Sequence, residues 1–217
     1  MVVPETFSFL ADLAMNNRKA WMDEHRAERD DALRNLTGIA ITLHDYADRF
    51  DPFVAQARIK TKQSYTKFFQ EPRERVGRAF YRTDVDVFAT AGHPSEDFGY
   101  YLHIEPGNCH AGAALFQPSK EALTRLRNRL VDDPEGLHDI LADTEFKTAF
   151  PDGLVTRKEL GAVPDGFESS DPAAPYLKMV GLGCRQDLPD ALLLDDEVSH
   201  LLIGSFGLAR QLVRYFD

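Results

Sequence analysis

Acid–base or metal chemistry needs histidine and carboxylate side chains held close together, and one short stretch of this chain supplies them. His103 and Glu105 alternate within Tyr100-Tyr101-Leu102-His103-Ile104-Glu105, and His110 follows five residues later. On a strand, residues two apart share a face, so His103 and Glu105 point the same way. A His, Glu, His set has the donors for zinc or for a proton relay. Its existence turns on register. A three-residue link over Pro106-Gly107-Asn108 sets Glu105 opposite Cys109 and His103 opposite Ala111, which sends His110 to the other face beside Ile104. That register predicts no zinc site and no metal at all, and no cofactor is called for.

Asp84 and Asp86 form a second set, next to Arg82, again alternating on one strand face. Two carboxylates there suit a metal or a division of acid and base roles. The plainer expectation is pairing with arginines across neighbouring strands. Further along the N-terminal region, Trp21, His25 and Arg29 follow a helical i, i+4, i+8 stripe. Asn16 and Asn17 are placed for turn or cap chemistry, or for hydrogen bonds to a ligand. Catalytic candidates are thus His103, Glu105, Asp84 and Asp86; binding candidates are Lys60, Lys62, Lys67, Arg82, Asn16, Asn17 and Trp21.

The elements that must position these residues are legible from periodicity. Thr6 is read as the cap of a first helix with Phe7, Leu10, Ala11 and Ala14 inward. A long helix runs from Trp21 to the Asp51-Pro52 break, with Ala32, Leu36, Ile39, Leu43, Tyr46 and Phe50 as its apolar stripe. Residues 53–77 read as loop with a possible strand. Alternation over Phe80–Thr90, Phe98–Glu105 and Cys109–Phe116 gives three strands, the last two joined as a hairpin. Ser119 and Asp133-Pro134 start two helices, Asp171-Pro172 a short one. A strand follows through Val180, Leu182 and Cys184, and a helix from about Asp196 closes the chain. Helices before and after hairpin-connected strands predict an α+β class: an antiparallel β-sheet with helices packed on it, long N-terminal helices and a C-terminal helix. The 217 residues are read as one domain, 1–217.

Composition narrows function. The formal charge is −10, which argues against nonspecific nucleic-acid binding, yet between Arg58 and Arg82 eight basic residues face two acids, a local +6. That stretch is read as a rim for an anionic small molecule. No apolar run reaches the length of a membrane span, the first residues are not a signal sequence, and Cys109 and Cys184 are spaced for neither a disulfide framework nor a zinc site. A cytoplasmic protein is the expectation. No phosphate-cradling glycine loop, dinucleotide fingerprint, Gly-x-Ser-x-Gly or His-Glu-x-x-His is present.

Three stretches together resemble the DUF2461 family, a conserved hypothetical family of unknown function. They are Phe7-x-Phe9-Leu10-x-x-Leu13-x-x-Asn16-Asn17 with Trp21 and His25-Arg26; Tyr100 to Gly107 running on to Gly112-Ala113-Ala114-Leu115-Phe116-x-Pro118 and Leu123-x-x-Leu126-Arg127; and Glu159-Leu160-Gly161-x-Val163-Pro164-x-Gly166-Phe167 with Asp171-Pro172 to Lys178. Lys19, Ala20 and Met22 stand where the family has Arg, Glu and Phe, and the family's dense Arg-Asp-x-Arg-Phe-Ser segment has no full counterpart. The resemblance supports the scaffold and brings no substrate or catalytic role. The residues leave three readings: a noncatalytic binding or regulatory protein for an anionic small molecule or partner, which the charge contrast favours; a hydrolase or phosphate-handling enzyme built on the sheet's His, Glu and Asp residues; or a structural subunit of an oligomer.

Overall fold

The computed structural model describes residues 2–57, 63–69, 79–195 and 197–217. Helix α1 (Pro4–Met15) begins with proline at its first position, where the missing N–H costs nothing. Thr6 is therefore inside the helix and not its cap: its hydroxyl donates to Asn35 Oδ1 at 3.0 Å, and the buried stripe is Thr6, Phe7, Phe9, Leu10 and Leu13 instead of one through Ala11 and Ala14. The expected single long helix is two, α2 (Lys19–Glu24) and α3 (Arg26–Asp45). His25 breaks it, with φ −105° and ψ 37°, its Nδ1 2.9 Å from the Trp21 carbonyl and its ring stacked on the indole at 4.1 Å. A 3-10 turn (Ala47–Arg49) leads to α4 (Pro52–Gln56), a helix within the span expected to be loop. Asp51 caps it by accepting from the Phe53 N–H, the signal that Asp-Pro carries.

Four strands follow: β1 (Val85–Ala89), β2 (Gly99–Ile104), β3 (His110–Leu115) and, after the helical layer, β4 (Leu182–Asp187). They pair antiparallel in the order β1-β2-β3-β4. The described strand β1 is shorter than the alternation from Phe80, because Tyr81 makes one isolated bridge with Phe69. Between β3 and β4 come α5 (Lys120–Asp132), α6 (Pro134–Ala142), α7 (Thr144–Ala149) and α8 (Ala174–Leu177), with side-chain caps at Ser119, Asp133 and Asp143. α9 (Asp190–Leu193) and α10 (Val198–Phe216) end the chain. The α+β class holds.

The sheet's two faces differ. Val85, Val87, Ala89, Tyr100, Leu102, Ile104, Ala111, Ala113, Leu115, Leu182 and Cys184 point to the core, where α3 and α10 pack. Each large side chain buried there contributes on the order of 1.5–3 kcal/mol. Phe50, Tyr100 and Phe206 form its aromatic centre, with centroids 4.8–5.3 Å apart. The buried Asp51 accepts from the Tyr100 hydroxyl at 2.7 Å and from Arg214, which ties the start of α4 to the end of α10. No helix among the described residues is long and apolar enough to cross a membrane.

The opposite face carries Asp86 and Phe88 from β1, Tyr101 and His103 from β2, His110, Gly112 and Ala114 from β3, and Gly183 and Arg185 from β4. β3 and β4 approach so tightly that a Cβ on Gly112 would stand 2.1 Å from the Cys184 carbonyl oxygen. Gly112 also pairs with Tyr101, whose hydroxyl donates to that same carbonyl at 3.3 Å. Backbone in a central strand cannot yield locally, so Gly112→Ala should lower unfolding stability by roughly 2–4 kcal/mol in urea titrations. A loss under 0.5 kcal/mol would contradict the strand spacing.

Candidate active site

The hairpin between β2 and β3 decides the site. Asn108 N–H donates to the Glu105 carbonyl at 2.8 Å and Gly107 has φ +83°, so Pro106 and Gly107 are the central pair of a type II turn. The link is two residues, not three. The register moves by one, His103 faces His110 directly, and their rings stack at 4.3 Å and 25°. The expected separation of the two histidines onto opposite faces is thereby corrected. Asp190 holds the turn by accepting from the Gly107 N–H at 2.8 Å.

Asp86, on the neighbouring strand opposite His103, has 1% of its surface exposed. Its Oδ1 lies 2.7 Å from His103 Nδ1, while Arg157 donates to both oxygens at 2.7 and 2.8 Å. Arg82 reaches within 3.9 Å of Asp86 and pairs with Asp84. Burial works to raise the Asp86 carboxyl, but the hydrogen bonds from His103 and Arg157 outweigh it and hold the group well below the usual carboxylate range. The same bidentate contact keeps Arg157 charged despite its own burial. An ionised Asp86 requires a hydrogen on His103 Nδ1. His103 Nε2 then lies 3.3 Å from Glu105 Oε2, at the rim where Asn108 also reaches Glu105.

Apart from Asp86, these side chains line a cleft of about 620 Å³ with His110, Gln117, Asp152, Thr156 and Arg185. Arg157 lies over the Phe116 ring, its guanidinium carbon 4.5 Å from the centroid, and forms one wall. Tyr101, fully buried, packs edge-on against His110 and Phe116, and burial pushes its hydroxyl far up, so it supports those two rings and does not act as an acid. Two other hollows, one along α6 and α8 and one between α3 and Tyr65–Phe69, are more apolar, and neither is lined by both a histidine and a carboxylate.

Among the described residues, one cluster has the donor types for a metal: Asp84, Asp86 and His103, with ligand atoms within 4.8 Å of one another. Arg157 already grips both oxygens of Asp86 and Arg82 pairs with Asp84, so guanidinium charge stands where a cation would bind. That donor set fits a hydrogen-bonded ion cluster better than a metal centre.

The remaining candidates sit elsewhere. Asn17 is a tether: its amide oxygen accepts from the Phe80 and Tyr81 N–H groups at 2.8 and 2.9 Å, and its nitrogen donates to the Tyr81 carbonyl at 2.7 Å. Asn16 caps the end of α1 and donates to the Asp12 carbonyl. Trp21 is buried between Phe9 and His25. None of the three faces the cleft. Lys67 is exposed beside Tyr65 and Phe69, in the hollow next to α3, and Lys60 and Lys62 lie outside the described residues. Of the two described basic residues of that stretch, Lys67 and Arg82, it is Arg82 that lines the cleft. Sequence reasoning missed Arg157 and Arg185. Arg157 sits in an irregular loop 71 residues from Asp86, with no periodicity to mark it; a strand aspartate that needs a cation was the available signal.

Burial, then the charge of His103, lowers His110 to about 4. Its folded value lies below its unfolded value, so between about 4 and about 6.5 the unfolded chain binds more protons. Stability from this group is present above about 6.5 and is lost as pH falls toward 4, by on the order of 2–3 kcal/mol. Urea titrations across that window should show this slope, and His110→Phe should flatten it.

Comparison with curated proteins and with solved structures finds no match. A family model described as "Conserved hypothetical protein (DUF2461)" matches residues 5–215 of the 217. With the match running from α1 to the end of α10, and with the hairpin and its histidines inside it, the chain belongs to the DUF2461 family.

Proposed function

We propose that the protein is an enzyme that uses His103 as a general acid–base group on a small molecule held in the cleft of the open sheet face. The observation that carries this reading is the ionised Asp86, 1% exposed, gripping His103 Nδ1 at 2.7 Å beneath a polar cleft. Buried ion clusters rarely stabilise a fold more than apolar packing of the same volume. Carboxyls shifted by burial and a specific charge partner cluster at functional sites.

The roles divide by position. Asp86 fixes the tautomer and orientation of His103, Arg157 and Arg82 keep Asp86 charged, and Glu105 faces Nε2 to exchange a proton at the cleft side. The stack with His110 stops the ring from turning. Among the described lining residues Thr156 carries the one hydroxyl, and it donates to the Gly181 carbonyl at 2.7 Å. Hydrolysis of an ester or amide by water, with His103 moving the proton, is the simplest reaction these groups support.

The binding reading, with the basic stretch as an anion rim, has less support among the described residues. Lys67 and Arg82 line different hollows, and Arg82 is paired with Asp84.

Screening the purified protein against a panel of amide and ester substrates tests the proposal. His103→Gln should lower turnover at least a hundredfold, and Asp86→Asn by a smaller factor with the fold retained by circular dichroism. Imidazole nitrogen NMR should find the His103 hydrogen on Nδ1. Full activity in His103→Gln would overturn the assignment.

A further inference from the structure

The cleft is one of two adjoining chambers. A second hollow, of about 180 Å³, lies on the same open face and shares Arg157, Phe116 and Gln117 with the first. Its own apolar residues are Phe88, Tyr65 and Pro94, and Asp86, His93, Gln63, Thr66 and Ser95 supply its polar side. Phe88 is next to Asp86 on the same strand face, two residues along, so an apolar group in this hollow lies beside the acid–base cluster. Arg157 stands between the chambers, edge bonded to Asp86 and face laid on Phe116. A cavity of about 150 Å³ suffices for benzene.

Charge in the first chamber sets the other half of the ligand. Its arginines are each matched by an acid: Arg82 by Asp84, Arg157 by Asp86, Arg185 by Asp187. Glu105 and Asp152 also line the chamber, and among the described residues no lysine or arginine pairs with either. Among the described lining residues, the charged groups left without an oppositely charged arginine, lysine, aspartate or glutamate partner are therefore carboxylates. A phosphate or carboxylate entering the chamber would meet these carboxylates, while every arginine of the described lining already holds an acid, which is a like-charge penalty in a partly dehydrated space.

On these grounds, and resting on the acid–base reading above, we infer that the substrate is a non-anionic amide or ester carrying one compact, ring-sized apolar group. The ring occupies the Phe88 chamber, its flat face available to the aromatic lining. The carbonyl group extends past Arg157 to His103. Phe88 is the specificity-determining residue, acting on affinity and not on proton transfer.

Binding of benzamide, acetamide and benzoate, followed by NMR on the full-length protein, separates the possibilities. Benzamide should bind at least tenfold more tightly than acetamide, and benzoate more weakly than benzamide, with shifts at Phe88 and in the His103 ring. Phe88→Ala should reduce benzamide affinity at least fivefold and leave acetamide unchanged, which also reports an intact fold. Equal binding of benzamide and acetamide, absence of benzamide binding, or tighter binding of benzoate overturns the inference. His103→Gln keeps benzamide binding here while losing turnover, so failure of the acid–base reading is a separate result.

Discussion

The turn from Glu105 to Asn108 sets which side chains meet on the open face. Proline fixes its own φ at about −65°, and glycine adopts the positive φ that the next position of a type II turn demands, so Pro106-Gly107 selects a two-residue connection. In an antiparallel pair a shift of one residue exchanges the faces of every side chain on the strand. With this turn, Leu102 and Ala111 face the helices while His103 and His110 face each other on the other side. A three-residue link would have driven His110 into the apolar core and left Ala111 in solvent, so burial of the alternating apolar set and the turn chemistry choose the same register.

Once His103 is placed, the charge arrangement around it follows from the cost of burying Asp86. An isolated carboxylate so far from water would be several kcal/mol unfavourable, and it would protonate unless cations were supplied. Two are at hand: Arg157, 71 residues away in the loop that bridges to β4 at Val155, and Arg82, four residues before Asp86 on the approach to β1. His103 completes the shell. Arg157 also depends on Phe116 as a platform, which follows directly on β3. Removal of any member strands a charge for the others, so the cluster behaves as a unit and its pairwise energies do not add.

Much of this was legible in the sequence, and the failures have identifiable causes. The alternation that placed Asp86 and His103 on strands is a period-two signal that tertiary context cannot reverse without exposing Val85, Val87, Leu102 and Ile104, while Asp84 and Glu105, expected on the same strands, fall one residue outside β1 and β2. His110 was assigned to the wrong face because a glycine-containing link of three residues and a Pro-Gly turn of two look alike until the closing hydrogen bond is known. The helix break at His25 was invisible because Trp21, His25 and Arg29 keep helical spacing across it, and the histidine ring itself takes the Trp21 carbonyl. Asn17 looked available for a ligand, yet its amide matches two N–H groups and a carbonyl of residues 80–81. Arg157 had no local mark at all, since ion pairs between a loop and a strand obey no spacing rule.

The division of the sheet explains why a buried ion cluster is tolerated beside the core. Stability comes from the face against α3 and α10, where the aromatic centre and the aliphatic side chains are buried and the polar groups are paired: Asp51 with Tyr100 and Arg214, and Ser205 of α10 with Gln186 of β4. The open face is built differently. Gly112, Ala114 and Gly183 bring little side-chain bulk to it, and that absence is what leaves room for the cleft and lets Tyr101 lie across β3 to reach the Cys184 carbonyl. Because the strands are shared, a substitution on the open face that preserves backbone spacing changes charge and shape in the cleft without entering the core. Changes in the glycines act the other way, through strand spacing, and affect both faces together. The site can therefore vary in its polar residues while the hairpin, its turn and the small residues beneath the cleft are held by the geometry of the sheet.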